Sequence, residues 1–284
     1  MKILVTGAKG SLGQDIVDIF RAAGHEVIQT DREELDITNR EQVLEKVGAL
    51  MPEVIINTAA YNFVDNVEDP EFFPIAYQVN AEGPRNLALA AKTLGIPFVH
   101  YSTDYVFSGD KLDGYEEDDQ PRPISKYGET KWHGETLVER VGGKYYICRL
   151  SKIFGRPAIS ENGKESFVSL MIRLAKEKPE LKIVNEEVGS PSYTLDIARA
   201  TLQLLADKHA PGIYHIVNEG RGVTWFDFAE EIFALAQITT PRFPVTSAEF
   251  PKPAMRPKFA ALKNTKLPRL RSRQEALAEY IKTL

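Results

Sequence analysis

Residues 3–13 read Ile3-Leu4-Val5-Thr6-Gly7-Ala8-Lys9-Gly10-Ser11-Leu12-Gly13. The first three are apolar and mostly β-branched, which suits a buried strand, and the glycines after them suit a tight turn. Leu12, Ile16, Ile19, Phe20 and Ala23 then recur at helical spacing until Gly24. Glu26-Val27-Ile28-Gln29-Thr30 reads as a second strand, ended by Asp31. Turn glycines let a backbone approach a pyrophosphate, and the helix N-terminus offers it N–H groups and a positive dipole end. Asp31, about eighteen residues beyond Gly13, stands where an acid binds ribose hydroxyls. Gly7, Gly10 and Gly13 are spaced Gly-x-x-Gly-x-x-Gly, unlike the Gly-x-Gly-x-x-Gly of many dehydrogenases. The unit predicts a Rossmann-type, doubly wound parallel α/β sheet that binds NADPH or NADH. Asp31 repels a 2′-phosphate and the adjacent Arg32 attracts one, so the preference between the two stays open.

Further strands end in residues suited to a ligand-facing edge. Val54-Ile55-Ile56-Asn57 runs into Thr58-Ala59-Ala60, and Pro97-Phe98-Val99-His100-Tyr101 runs into Ser102-Thr103-Asp104. In a parallel sheet such ends gather at one edge. Between them, Asp36-Ile37-Thr38 is expected to start a helix capped by Thr38 or Asp36, or Asp36 faces the adenine instead. Asn80 is expected to open a helix running through Ala91. Residues 108–123, rich in Gly, Asp, Glu and Pro, read as a loop leading to a helix that carries Tyr127 and Lys131. Strands are expected at Tyr145–Leu150, Leu181–Val184 and Gly212–Val217. Helices are expected at Thr194–Leu205, Thr224–Ala236 and Gln274–Lys282, and an extended irregular path at Thr239–Pro257.

The 284 residues, 43% hydrophobic and 26% charged, provide for a sizeable core. A net charge of -5 does not favour a nucleic-acid partner. The single cysteine, Cys148, excludes an intrachain disulfide or a cysteine zinc cluster and reads as a buried apolar residue. The short apolar N-terminus does not resemble a signal peptide, and no stretch has the apolar length to span a bilayer, so a cytoplasmic location is expected. His100 and His215, in apolar strands, read as core residues, His133 as exposed, Trp225 and Phe228 as a packed face, and Arg269, Arg271 and Arg273 as a solvated cluster.

Tyr127 and Lys131, four apart on a helix, share one face. With Thr6-Gly7-x-x-Gly10-x-x-Gly13, Asn57-Thr58-Ala59-Ala60 and Ser102-Thr103-Asp104-Tyr105-Val106-Phe107, this pair resembles the extended short-chain dehydrogenase/reductases. More narrowly, Ala59-Ala60-Tyr61 with Val64-Asp65, Gly189-Ser190-Pro191-Ser192-Tyr193-Thr194-Leu195-Asp196, and Arg256-Pro257 with Leu262 are similar to the dTDP-4-dehydrorhamnose reductase family. The resemblance covers essentially the whole chain. It implies a cofactor domain at 1–153 plus about 192–217 and a smaller α/β substrate domain at about 154–191 plus 218–284.

That resemblance implies hydride transfer to the C4 ketone of a nucleotide sugar, with dTDP-4-dehydro-L-rhamnose giving dTDP-L-rhamnose. Tyr127 is then the general acid, Lys131 tunes it and holds the nicotinamide ribose, and Thr103 hydrogen-bonds the ketone oxygen. A tyrosine pKa of about 10 brought to about 7 requires roughly 4 kcal/mol of phenolate stabilisation, which an ammonium and the oxidised nicotinamide can supply. The implied cofactor contacts are Gly7, Gly10, Ser11, Leu12, Gly13, Asp31, Arg32, Asp36, Ile37, Ala59, Ala60, Tyr61, Tyr127 and Lys131. The implied substrate contacts are Val64, Thr103, Asp104, Tyr105, Tyr127, Lys152 and Arg256, the last for the diphosphate.

Two positions depart from the family. Its usual Arg-Thr-Ser-Trp is Arg149-Leu150-Ser151-Lys152, and its Arg-Pro-x-x-Ser-x-Leu is Arg256-Pro257-Lys258-Phe259-Ala260-Ala261-Leu262. Asp15 and Leu195 occupy positions where some members carry metal-bridging glutamates, so no metal is expected and the chain is expected to be a monomer or homodimer. The alternatives are a reductase or epimerase of another nucleotide sugar, and a regulatory subunit that binds NAD(P) without catalysis. Tyr105 stands where related dehydratases have a glutamate, which favours reduction. An intact Thr103, Tyr127 and Lys131 argues against the regulatory subunit.

Overall fold

Ile3, Leu4 and Val5 are apolar on both faces of their strand, and all three are completely buried in β1 (Lys2–Thr6). Parallel strands covered on both sides read as such runs. The structure, a computed structural model, describes residues 1–159, 163 and 165–284. Residues 160–162 and 164, inside the segment assigned to the substrate domain, lie outside the described residues. After β1 come α1 (Ser11–Ala22), β2 (Glu26–Thr30), α2 (Arg40–Leu50), β3 (Val54–Asn57), α3 (Phe73–Tyr77), α4 (Gly83–Leu94) and β4 (Phe98–Thr103). Then follow α5 (Lys126–Val141), β5 (Tyr145–Leu150), β6 (Ile153–Phe154), α6 (Phe167–Glu177), β7 (Leu181–Val184) and β8 (Ser192–Tyr193). The chain ends with α7 (Thr194–Ala206), β9 (Gly212–His215), α8 (Trp225–Leu235), β10 (Arg242–Val245) and α9 (Arg273–Ile281).

Among the described residues the main sheet has six parallel strands in the order β2-β1-β3-β4-β5-β9. The chain winds outward from β1 in one direction through β2 and in the other from β3 onward. That reversal opens a crevice at the C-terminal ends of β1 and β3, where doubly wound folds bind ligands. Alternate residues of β1 face opposite layers. Ile3 and Val5 join a cluster with Ile16, Phe20, Ile197 and Leu204, under α1 and α7. Leu4 joins Val43, Leu87 and Val138, under α2, α4 and α5. The register aligns Thr6 with Thr30 and Asn57, and Asn57 with His100. β4 then continues to Thr103, which pairs with Leu150. Thr103 therefore stands beyond the level of the glycine turn.

A third apolar cluster brings together Phe154, Met171, Ile183, Phe228, Phe233 and Tyr280, from β6, α6, β7, α8 and α9. Here β7 pairs with β10 and β6 with β8, both in parallel. No helix among the described residues is long and apolar enough to cross a membrane.

Several expectations need correction. The cap of α2 is Asn39, whose side chain accepts from Gln42 N, whereas Asp36 Oδ1 accepts from Thr38 N and Oγ1 in a tight local turn. Local Asp–backbone bonding of this kind competes with helix entry. Helical backbone begins at Phe73, ahead of Asn80, and Asn80 sits in a π-helical turn, Gln78–Glu82, that joins α3 to α4. β9 stops at His215. The proline-rich path contains β10, which holds Pro244 on an edge strand, where its missing donor costs no ladder bond. His133 is half-buried against Tyr77. Arg273 is buried in an ion pair with Glu231, and Arg271 pairs with Asp196 and Glu279. Of the three arginines expected to be solvated, only Arg269 has a largely exposed side chain.

Candidate active site

The glycine turn is built for close approach. Gly7 has φ +70°, and a Cβ there would lie 2.5 Å from Ala59 N. A Cβ on Gly13 would lie 2.3 Å from the Gly7 carbonyl oxygen. Gly10 is the N-cap of α1 and makes no side-chain cap bond. Gln14 N–H bonds back to Gly10 O at 3.0 Å and closes the first turn of α1, so the N–H groups of Ser11, Leu12 and Gly13 have no i−4 carbonyl of the helix to bond. Asp31 Oδ2 accepts from Lys9 N at 3.2 Å, which brings the acid at the end of β2 beside the turn. The backbone cradle, the uncapped helix start and the adjacent acid fit a dinucleotide.

The other expected cofactor residues divide. Ser11 opens α1 at the turn, and Ala59, Ala60 and Tyr61 follow β3 beside Gly7. Arg32 is exposed next to Asp31. The side chains of Leu12 and Ile37 are buried in the core, which leaves only their backbone to line a ligand. Ile37 is pinned there because its carbonyl accepts from Asn86 Nδ2 and its side chain fills the space over Gly83.

Ser125 caps α5 by accepting from Gly128 N, and this fixes where Tyr127 and Lys131 point. A Cβ on Gly128 would lie 2.2 Å from the Tyr105 carbonyl oxygen, so glycine lets α5 pack against the end of β4. Tyr127 meets the Tyr105 ring edge-on at 5.5 Å. Val64 and Tyr61 pack on the same cluster. Lys131 is 2% exposed, and its Nζ donates to the Tyr101 carbonyl at 2.7 Å. Burial lowers this ammonium to about 8. The Tyr127 phenol goes the other way: burial and then the charge of Asp104 push it well above the ordinary phenol range, while a hydrogen bond with Thr103 opposes them. The expected downward tuning of Tyr127 thus has to work against burial and the charge of Asp104, and Thr103 is the group here that acts in its favour.

Asp104, expected at the substrate, is 5% exposed and accepts from Thr103 Oγ1 at 2.9 Å and Ser151 Oγ at 2.6 Å. Burial raises its carboxyl. Lys152 adopts φ +43° and places Nζ 3.9 Å from the centroid of Trp225. Trp225 in turn donates from Nε1 to Glu187 Oε2 at 2.8 Å. Arg256 grips Asp65 with both terminal nitrogens. Arg256 and Glu187 both lie within electrostatic reach of Tyr105, and Glu187 of Lys152.

Sequence reasoning missed Ser151, Glu187 and Asn80. Asn80 bonds both backbone groups of Tyr61 and reaches Thr130 Oγ1 at 3.0 Å, tying the cofactor edge to α5. A π turn is frequent at functional sites, but its local sequence does not announce it. Trp225, read as core, packs on Phe167 and yet turns its indole N–H toward the site.

Comparison with known proteins agrees with this geometry. The model of the RmlD substrate binding domain matches residues 1–284. The dTDP-4-dehydrorhamnose reductase of Aggregatibacter actinomycetemcomitans is 38% identical over 278 residues, covering 94% of this chain and 92% of that protein. A crystal structure of a dTDP-4-dehydrorhamnose reductase from Clostridium acetobutylicum superposes with a TM-score of 0.92 at 42% identity, over 100% of this chain and 99% of that one. The dTDP-4-dehydrorhamnose reductase of Bacillus anthracis, solved in complex with NADP, gives a TM-score of 0.92 at 35% identity, over 100% of this chain and 99% of that one. The chain belongs to the RmlD substrate binding domain family, together with the dTDP-4-dehydrorhamnose reductases.

Proposed function

We propose that this protein is an NAD(P)H-dependent oxidoreductase that reduces the C4 ketone of a dTDP-linked deoxysugar, with dTDP-4-dehydro-L-rhamnose as substrate and dTDP-L-rhamnose as product. The observation that carries the reading is that α5 brings Tyr127 and Lys131 to the C-terminal end of β4, where Lys131 Nζ reaches Tyr101 O and Tyr127 packs on Tyr105, two residues past Thr103. When bound, the reduced nicotinamide supplies the hydride. Tyr127 gives its phenol proton to the ketone oxygen as that hydride arrives at C4. Burial and the charge of Asp104 favour the protonated phenol. Lys131, anchored on Tyr101 O, has further N–H donors that would hold the nicotinamide ribose and favour the forming phenolate. Gly7, Gly10 and Gly13 admit the pyrophosphate, and Asp31 takes the adenosine ribose.

Val64, Tyr105, Lys152 and Arg256 line the sugar-nucleotide side, with Arg256 exchanging Asp65 for the diphosphate. The division into a cofactor domain and a substrate domain belongs to this reading, as do a cytoplasmic location, a monomeric or homodimeric state and no nucleic-acid partner. A net charge of -5 accords with the last of these. A second reading, reduction of a different nucleotide sugar, is favoured by one observation: a buried amine, Lys152, stands where the family has tryptophan. The test mixes the protein with NADPH or NADH and a panel of 4-keto sugar nucleotides and follows cofactor absorbance. Cofactor consumption with the dTDP-linked 6-deoxy ketone supports the first reading, and consumption with another sugar alone supports the second. Cofactor binding with no consumption by any member of the panel removes both.

A further inference from the structure

We propose that Asp65 is a latch on the nucleotide site: it clamps residues 251–256 to the cofactor side and competes with the incoming diphosphate for Arg256, so that the nucleotide binds by breaking the clamp. This rests on the reading given above, in which Arg256 serves the diphosphate, and gives Asp65 the part of regulating that contact. Asp65 lies in the loop after β3, where its neighbours Val64 and Val67 pack with Tyr105 and Tyr127. It stands just before a 3-10 turn, Asn66–Glu68, yet its side chain makes no capping bond there. The carboxylate instead reaches a segment 191 residues further along the chain. Its Oδ1 accepts from Arg256 Nη1 and Nη2, both at 3.0 Å, and from Ala254 N at 3.3 Å, and its Oδ2 accepts from Arg256 Nη2 at 2.8 Å. Residues 251–256 include Pro251 and Pro253 and run into Pro257, so the path is stiff. Among the described residues, the hydrogen bonds that this segment makes to the rest of the chain end on Asp65. The chain is fixed again only beyond it, where Lys258 O accepts from Val188 N at 2.8 Å and Phe259 N donates to Gly109 O at 3.0 Å.

A guanidinium has five N–H protons to give. Asp65 takes three of those on Arg256, and Ala254 O takes a fourth, from Nη1 at 2.8 Å. Among the described residues that leaves Nε–H without a partner. A phosphate is gripped most firmly by two parallel N–H donors. With one N–H left, Arg256 has no such fork to offer while Asp65 holds it, so the diphosphate and Asp65 exclude each other. Burial works against ionisation of Asp65, but Arg256 and the Ala254 N–H outweigh it and hold the carboxyl below its usual range. The clamp is therefore a charged pair at neutral pH, and the exchange replaces one anion on Arg256 by another. A protein whose open form is one part in ten binds its ligand about tenfold more weakly than the open form alone would. Removing a competitor tightens nucleotide binding. Removing a residue that merely held Arg256 in place for the diphosphate would weaken it, so the sign of the change separates the two roles.

The test is calorimetric titration of the full chain with dTDP, using the parent, Asp65→Asn, Arg256→Gln and the double variant. Asp65→Asn should tighten dTDP binding by about tenfold. In the Arg256→Gln background the same change should have little effect, within about threefold, because the competitor then has nothing to hold. Unchanged or weaker binding by Asp65→Asn overturns the proposal. So does an equal gain in both backgrounds, which would mean simple repulsion between Asp65 and the phosphates. Circular dichroism establishes that each variant is folded. Asp65→Ala repeats the measurement if Asp65→Asn does not fold, and failure of both to fold overturns the proposal, because Asp65 would then be needed for the fold itself. The titration needs no turnover, so a tenfold gain supports the latch even if no 4-keto sugar is consumed. Turnover of the dTDP-linked ketone by the parent, with no gain in Asp65→Asn, overturns the latch alone. No dTDP binding by the parent or any variant overturns the latch and the reading of the site together.

Discussion

The Lys152 ammonium lies 3.9 Å from the centroid of the Trp225 ring while donating to the Glu187 carbonyl at 2.5 Å. The amine thus covers the indole face that faces the site. Burial depresses it to about 7 from an ordinary 10.5. A lysine whose folded pKa is lowered binds fewer protons folded than unfolded between those values, so its contribution to stability grows as pH rises. In urea titrations, the unfolding free energy of the protein minus that of Lys152→Met should rise from about pH 7 to about pH 10.5 and level off above. A difference that stays flat across that window would show that the amine keeps an ordinary pKa.

Asp31 is held at the glycine turn by Lys9 N at 3.2 Å and by Arg32 N at 2.9 Å. Its charge faces the adenosine ribose in the proposed mode, where it accepts from hydroxyls and repels a 2′-phosphate. Asp31→Ala should therefore shift the ratio of the two cofactor affinities toward NADPH by about tenfold or more. Fluorescence titration with each cofactor measures the ratio. An unchanged ratio would mean that Asp31 does not reach the ribose.

Tyr127→Phe removes the proton and leaves the ring that packs on Tyr105. Turnover with the competent sugar nucleotide should fall by about 10²–10⁴-fold, the usual worth of a positioned general acid. Cofactor affinity should hold, because Lys131 stays anchored on Tyr101 O. Steady-state kinetics and cofactor titration separate the two effects, and turnover at the parent rate would remove Tyr127 as the acid.

Gly13 touches backbone on a side where no rotamer can give way. A Cβ there would lie 2.3 Å from Gly7 O and 2.9 Å from the Ala8 Cα. Gly13→Ala should cost about 1–3 kcal/mol in urea unfolding, as overpacking does. It should also weaken cofactor binding, because the turn must shift to admit the methyl. Unaltered stability and affinity would place the turn elsewhere.

These sites differ in how much of them can be read from the chain. Gly7–Gly13 and Asp31 were legible because strand, turn, helix and second strand are consecutive and each signals itself locally. Tyr127 and Lys131 were legible because helical spacing alone puts them on one face. Ser151 was not, since it reaches Asp104 across 47 residues of chain and meets it only because β4 and β5 are neighbours. Glu187 lies on a segment with no regular structure, positioned by Trp225 from α8. The residue types at the site could be read early, whereas their hydrogen-bond roles required the fold.

Among the described residues Arg149 is the largest fully buried side chain, and Glu135 takes its Nε at 2.9 Å and its Nη2 at 2.7 Å. Glu117 O accepts from Nη1 at 3.2 Å, so the guanidinium on β5 joins α5 to the loop before it. Glu135 belongs to the helix that carries Tyr127 and Lys131, so the pair ties that helix to β5. Removing one partner leaves a charge buried without its counterion, which typically costs 3–5 kcal/mol (about half of an ordinary domain's stability). Glu135→Leu should therefore lower the unfolding free energy by roughly that amount. Arg149→Met added to it should recover a large part, because two apolar side chains in place of a buried ion pair are often neutral. Urea unfolding of the parent, both single variants and the double variant measures the coupling. Simple additivity of the two single losses would show that Glu135 and Arg149 do not act as a pair.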